Sequence, residues 1–134
     1  TVVRPITEVA VCSPYFKELA DKQITLADLT EFPLISLGKD TKSFEFYSAL
    51  FTAHGLSYKP DIEAFTADQI LPMVVADLGI GFVPEEFLRD GDGLCRIRLK
   101  EQIPKRNIVL IKRKEQPLSV AAKELERMIR ECGD

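Results

Sequence analysis

Between Asp68 and Pro84 the apolar spacing changes from helical to extended, and few folds accept such a junction. Ile70, Leu71, Val74, Val75 and Leu78 recur at helical intervals, which places them on one face of an amphipathic helix. Gly79 ends that pattern. Ile80 to Val83 is then an apolar run of strand length that Pro84 closes. A helix with one apolar face that feeds straight into a buried strand needs a sheet with helices packed on it. The junction therefore points to the α/β class.

The rest of the chain repeats the alternation. Thr1-Val2-Val3 reads as a strand already under way, without an opening Met or a cap, so the chain is expected to be cut from a longer protein. Glu8 to Cys12 (EVAVC) fits a short strand. Thr25 caps a helical turn over Leu26 to Leu29, with Asp28 in its first turn. Pro33 stops that turn, and Leu34 to Leu37 forms a buried-type strand ending at Gly38. Phe44, Tyr47, Leu50 and Phe51 mark the next helix, and Gly55 after His54 is its natural C′ residue. Asp61 to Thr66 (DIEAFT) alternates as a strand does. Beyond Pro84 the pattern predicts a short helix over Glu85 to Arg89, an exposed strand over Leu94 to Leu99 and a stronger strand over Arg106 to Arg113. Ser119 then caps a last helix to Cys132, with Ala122, Leu125, Met128 and Ile129 on one face. This order predicts a mainly parallel sheet flanked by helices.

Composition removes several classes of function. A chain of 134 residues suits one modest domain, and an apolar fraction of 46% is enough for a core. The net charge of −3 is not the basic excess of a nucleic-acid binder. Cys12, Cys95 and Cys132 are too few and too widely spaced for a disulfide framework or a zinc site, and read as incidental thiols of a reducing cytoplasm. No signal peptide is expected, because the start lacks a basic stretch followed by an apolar run. No membrane contact is expected either: Asp77, Gly79 and Gly81 break the most apolar stretch, which is shorter than the roughly 20 residues of a spanning helix. Gly79-Ile80-Gly81 follows a helix and enters a strand, the reverse of the dinucleotide-binding order. Asp90-Gly91-Asp92-Gly93 lacks the distal glutamate of a calcium loop and reads as an acidic turn. Lys112, Arg113 and Lys114 read as a solvated face. The lone His54 complements a helix end. No nucleophile–base pair is evident, so neither catalysis nor a cofactor or metal is expected.

Two turns remain as candidate binding elements. In the stretch Ser36 to Ser43 a buried strand ends and a helix begins, which brings the hydroxyls of Thr41 and Ser43 to a helix N-terminus. Thr66-Ala67-Asp68-Gln69 repeats the arrangement. Helix N-termini attract carboxylates and phosphates through backbone N–H groups. In open parallel sheets ligands sit outside the carboxyl ends of the strands. Each of Thr41, Ser43, Thr66 and Asp68 also reads, taken alone, as a simple cap.

The run T-A-D-Q-I-L-P-M-V-V-A-D-L-G-I-G-F-V-P, Thr66 to Pro84, resembles the hallmark of LysR-type transcriptional regulators. There a strand ends in Thr or Ser, a helix carries a glycine-containing tail and a short strand ends at proline. T-L-A-D-L (Thr25 to Leu29) before F-P-L-I (Phe32 to Ile35), F-x-x-H-G-L with a following proline (Phe51 to Pro60), and N-I-V-L-I-K-R with L-S-V-A-A-K-E-L (Asn107 to Arg113, Leu118 to Leu125) are similar too. The family commonly has a small residue where this chain has Asp77, which is expected to affect only a helix surface.

The resemblance implies a periplasmic-binding-protein-like (type II) lobe with a C-terminal strand-helix return to the other lobe. Residues 1–134 would be a single partial effector-binding domain, with about 8–94 as lobe two and about 95–134 as the crossover and return to lobe one. The winged helix-turn-helix and the first half of lobe one would be missing. It further implies a cytoplasmic transcription regulator that senses a small-molecule effector, a carboxylate or other small anion. DNA would be bound only through the absent N-terminal domain, within a homodimer or homotetramer. By position, Ser36, Leu37, Thr41, Ser43, Thr66 and Asp68 match the turns that line the effector cleft, and Phe82, Val83 and Pro84 match the adjacent strand end. A solute-binding protein of related fold for a small anionic metabolite stays open as the alternative.

Overall fold

The structure, a computed structural model, describes residues 1–132. Its elements run β1 (Val2–Ile6), β2 (Glu8–Cys12), α1 (Leu26–Leu29), β3 (Ile35–Leu37), α2 (Lys42–Ala53), β4 (Ile62–Ala64), α3 (Ile70–Val75), β5 (Gly81–Pro84), β6 (Cys95–Ile97), β7 (Arg106–Val109) and α4 (Val120–Cys132). They form two units, Glu8–Ile103 and Thr1–Thr7 with Pro104–Asp134.

The larger unit is built on one mixed sheet. β3 and β4 pair in parallel, with Leu37 opposite Ala64. β2 lies between β5 and β6, antiparallel to both. A parallel bridge between Leu34 and Ile80 joins the two sets. It rests on bonds from the Ile35 N–H to the Ile80 carbonyl (2.9 Å) and from the Ile80 N–H to the Pro33 carbonyl (2.9 Å). The order is therefore β4-β3-β5-β2-β6, and every strand but β2 points the same way. The expectation of a mainly parallel sheet holds for direction and fails at β2.

Side-chain alternation sorts the core onto the two faces. Ala10 and Cys12 of β2, Phe82 of β5 and Leu34 join Tyr47, Leu50 and Phe51 of α2 and Leu26 and Leu29 of α1. On the opposite face Val11, Val83 and Ile35 meet Ala64, with Ile70 and Val74 of α3. The strand alternation of Cys95 and Ile97 against Arg96 also corrects the expectation of an exposed strand there. Ile97 is buried against β2, while Arg96 is exposed and pairs with Glu85 at 2.6 Å. A 3-10 helix over Pro14–Leu19 was not expected. Ser13 caps it and Pro14 opens it, a pairing that marks helix starts.

α3 departs from expectation at its end. Ile70 and Val74 are buried, but Val75 and Leu78 are 59% and 47% exposed. The helix closes at Val75, before Gly79. Asp77 takes φ +64°, and its N–H and that of Leu78 bond back to Val74 (3.0 Å) and Met73 (3.2 Å). This is a Schellman-type end, whose left-handed residue is usually glycine and only sometimes a short polar residue. Asp77 is exposed, as expected, yet its constraint is backbone conformation and not helix surface. Gly79 has a different task. A Cβ there would lie 2.7 Å from the Pro33 carbonyl oxygen, the acceptor that joins the sheet.

In the smaller unit β1 pairs antiparallel with β7. The Ser119 hydroxyl accepts from the Ala122 N–H (3.1 Å) and caps α4 as expected. Lys112, from the expected solvated cluster, pairs with Glu126 at 3.1 Å. Arg127 bridges Glu124 and Glu131 on the helix surface. Exposed pairs of this kind contribute little to stability.

Two substitutions test the end of α3. Gly79→Ala is expected to lower the unfolding free energy by about 1–3 kcal/mol, because the added methyl forces a backbone shift. Asp77→Gly is expected to raise it by up to about 1 kcal/mol by relieving the left-handed residue. Urea unfolding midpoints at unchanged slope would show both. If the two substitutions moved the midpoint in the same direction, the distinction drawn between these positions would fail.

Candidate functional site

The two expected turns leave the carboxyl ends of adjacent strands. Leu37 and Ala64 are register partners, so the chain exits side by side into Gly38 and Phe65. This common direction puts the starts of α2 and of the 3-10 turn Ala67–Gln69 at one sheet edge.

At the first turn Thr41 is a fully engaged cap. Its hydroxyl donates to the Gly38 carbonyl (2.7 Å) and accepts from the Phe44 N–H (3.1 Å). It therefore has no hydrogen left to donate to a ligand. The N–H of Lys42, at the first helical position, has no intrahelical acceptor. Ser43 follows, half-buried, in the same first turn. Gly38 is buried between carboxylates: a Cβ there would lie 2.7 Å from Glu63 Oε1 and 3.1 Å from Asp40 Oδ1.

At the second turn Thr66 and Asp68 are exposed. Here the side chain that holds the turn is Gln69, whose Oε1 accepts from the N–H groups of Phe65 (2.8 Å) and Thr66 (3.4 Å). Phe65 is 90% exposed. Glu63 and Phe65 were overlooked in the sequence, although the alternation of DIEAFT already places them on one face.

The other expected residues lie deeper. Ser36 is buried, and its hydroxyl donates to the Leu37 carbonyl (2.9 Å). Leu37 is half-buried against the cluster of Val11 and Ile70. Phe82 and Val83 are core residues on opposite faces, Phe82 stacking on Tyr47 at 4.6 Å between ring centroids. Pro84 is half-buried opposite Glu8. The structure thus gathers Thr41, Ser43, Thr66 and Asp68 at one edge, with Leu37 beside them. Ser36, Phe82 and Val83 sit beneath that edge.

Tyr58 supports this layer. Its ring lies among Phe44, Tyr47 and Phe51. Burial pushes its phenol up to about 12, and the neighbouring Ser36 hydroxyl partly offsets that. Among the described residues no group of three or more His, Cys, Asp or Glu side chains could hold a metal ion, and no helix is long and apolar enough to cross a membrane.

The geometry is that of an α/β lobe that presents two helix starts at one sheet edge. The sequence matches the LysR substrate binding domain over residues 4–133, and the chain belongs to that family. No curated protein matches it by sequence. Its fold is the type II periplasmic-binding-protein-like fold of LysR effector-binding domains. It is similar to the regulatory domain of CcmR from Synechocystis, solved in complex with 2-PG (14% identity, TM-score 0.84, all of this chain and 66% of that one). It is also similar to the effector binding domain of QuiR in complex with shikimate (17%, 0.80, 98% and 63%). A third is CbnR, a LysR family transcriptional regulator (20%, 0.77, 100% and 47%). The chain thus spans less than two thirds of the length of these relatives.

The buried phenol sets a pH dependence. The folded state holds the Tyr58 proton up to about 12, whereas an unfolded tyrosine loses it near 10. Stability from this group is complete below pH ~10 and is lost as pH rises to ~12, by about 2–3 kcal/mol. Tyr58→Phe is expected to remove that portion of the alkaline loss, measured by urea unfolding at pH 9.5 and 11.5. Equal losses in the variant and the parent would refute it.

Proposed function

We propose that this chain is the greater part of the effector-sensing domain of a bacterial LysR-type transcriptional regulator, with the larger unit as lobe two and the smaller unit as part of lobe one. The observation that carries the reading is the pair of turns leaving paired, co-directional strands, in a chain of this family. The effector is a small molecule bearing a carboxylate or another anionic group. That group meets the N–H of Lys42 and the Thr66–Asp68 turn. The Asp40 and Glu63 carboxylates beside Gly38 repel anions and accept hydrogens, so they favour hydroxyl or ammonium groups on the rest of the ligand. The Phe65 ring offers an apolar surface. The complexes of CcmR with 2-PG and QuiR with shikimate support a small acidic ligand.

Of the expected contacts, Leu37, Thr41, Ser43, Thr66, Asp68 and Pro84 form this wall. Ser36, Phe82 and Val83 position it from below. The domain binds and does not catalyse. The effector acts only through its different affinity for two lobe arrangements. Transcription is controlled when that shift re-angles N-terminal DNA-binding heads in a dimer or tetramer in the cytoplasm. Family membership favours this reading over a solute-binding protein of related fold.

Binding tests the wall directly. Calorimetric titration of the full-length protein against a panel of small carboxylates and phosphate esters is expected to find a ligand whose affinity falls about 10- to 150-fold in Thr66→Ala, for a lost hydrogen bond to a charged group. Thr41→Ala removes a cap worth about 0.5–2 kcal/mol and loosens the first turn of α2. It is expected to weaken the same ligand, and Thr41→Ser to restore it. Full affinity in both alanine variants would remove these turns from the site.

A further inference from the structure

Cys12 and Cys95, distant in the chain, stand directly opposite each other across the antiparallel β2–β6 pair. Cys12 lies in the core cluster with Phe16, Phe82 and Ile97, and Cys95 packs against that cluster, so both side chains project from the same face of the sheet. Opposed residues of an antiparallel pair have Cα atoms about 4.5 or 5.5 Å apart. Either spacing falls within the ~4.4–6.8 Å range that a disulfide spans. The third cysteine, Cys132, is exposed and belongs to the other unit.

We propose that Cys12 and Cys95 form an oxidisable dithiol site, which a hydroperoxide closes to a cross-strand disulfide and an external thiol reopens. The two sulfurs differ in access. Cys12 is fully buried, and its thiol donates to the Phe16 carbonyl at 3.6 Å. Burial first, and then the Cys95 thiol beside it, push Cys12 up to about 12. It is therefore held as the protonated thiol, a poor first nucleophile. Cys95 is only half-buried and reacts first. Its thiolate attacks one peroxide oxygen, the O–O bond breaks, and hydroxide leaves to collect the proton that Cys95 released. Cys95 is now a sulfenic acid. The Cys12 sulfur then attacks the Cys95 sulfur. An S–S bond forms, and the sulfenic hydroxyl departs with the Cys12 proton as water. Two thiols are oxidised by two electrons, and one peroxide is reduced to two waters. The protonated state of Cys12 makes the second step the slower one.

The link would join β2, which begins at the boundary with the smaller unit, to β6, the last strand before the chain returns to it. It would also close a long loop. A long closed loop restricts the unfolded chain, so oxidation is expected to raise the unfolding temperature by more than about 5 °C.

The test uses the reduced 134-residue chain, exposed to hydrogen peroxide and sampled over time. Each sample is alkylated under denaturing conditions, digested and weighed. The Cys12 and Cys95 peptides are expected to disappear together into one linked pair, about 2 Da lighter than their sum, while Cys132 stays alkylated. Dithiothreitol should restore both. Cys12→Ala is expected to trap Cys95 as a sulfenic acid that dimedone labels. Cys95→Ala, altering only the half-buried partner, should leave Cys12 fully alkylated. The proposal is overturned if Cys12 in the parent chain remains alkylated while Cys95 proceeds to sulfinic acid. Linked pairs containing mainly Cys132 would overturn it equally.

Discussion

The sheet of the larger unit depends on one joint. Ile80 is bonded on both sides of its peptide to the β3 segment, through the Pro33 carbonyl and the Ile35 N–H. Without it, β3 and β4 would be a two-stranded ribbon, separate from β5, β2 and β6. A ribbon of that size is marginal in water. The joint requires close backbone approach, which Gly79 permits because it has no Cβ to strike the Pro33 oxygen. Gly81 does the same for the packing layer: a Cβ there would lie 2.7 Å from Ile70 and 3.0 Å from Val74 side-chain carbons. The two glycines therefore let α3 lie tightly on the sheet, with Ile70 and Val74 over Val83 and Ile35. The candidate site is downstream of this joint, because both of its turns begin where β3 and β4 end.

Much of this was legible wherever the determining interaction is local. Thr25 caps α1 as expected, with Asp28 closing a capping box, and Thr41 caps α2. His54 and Gly55 end α2 where the composition indicates, with Gly55 at φ +73°. Short apolar runs located β2, β3 and β5, and alternation located β4. What escaped notice is non-local. The antiparallel placement of β2 between β5 and β6 depends on the route of the chain, which periodicity does not carry. The opposition of Cys12 and Cys95 depends on that same register, and no spacing rule for cysteines could have found it. At α3 the apolar period continues to Leu78, yet the helix stops at Val75 because Asp77 adopts the left-handed conformation. Periodicity shows where a helix could bury residues and says little about where its hydrogen bonds end.

The site was legible in position and less so in chemistry. The sheet-edge rule and the family pattern both led to the Thr41–Ser43 and Thr66–Asp68 turns. The hydroxyls that drew attention to them are structural at Thr41 and Ser36, where hydrogen bonds to the backbone engage them. In the proposed site, recognition falls to backbone N–H groups, the exposed Thr66 and Asp68, and the Phe65 ring, which shares the exposed face of Glu63. The Glu63 and Asp40 carboxylates lie beside Gly38 at this edge, and the proposed effector is therefore a small anion that also carries hydrogen-bond donors.

Backbone amide NMR tests most directly whether these two turns together form one wall of an effector site. Amide shifts of the isotope-labelled chain would be followed during titration with a small hydroxylated carboxylate, a measurement sensitive to millimolar binding. Saturable shifts concentrated at residues 41–43 and 66–69, with little change in α4, are the expected result. Saturable shifts confined to the smaller unit, or to the outer face of α2, would contradict it.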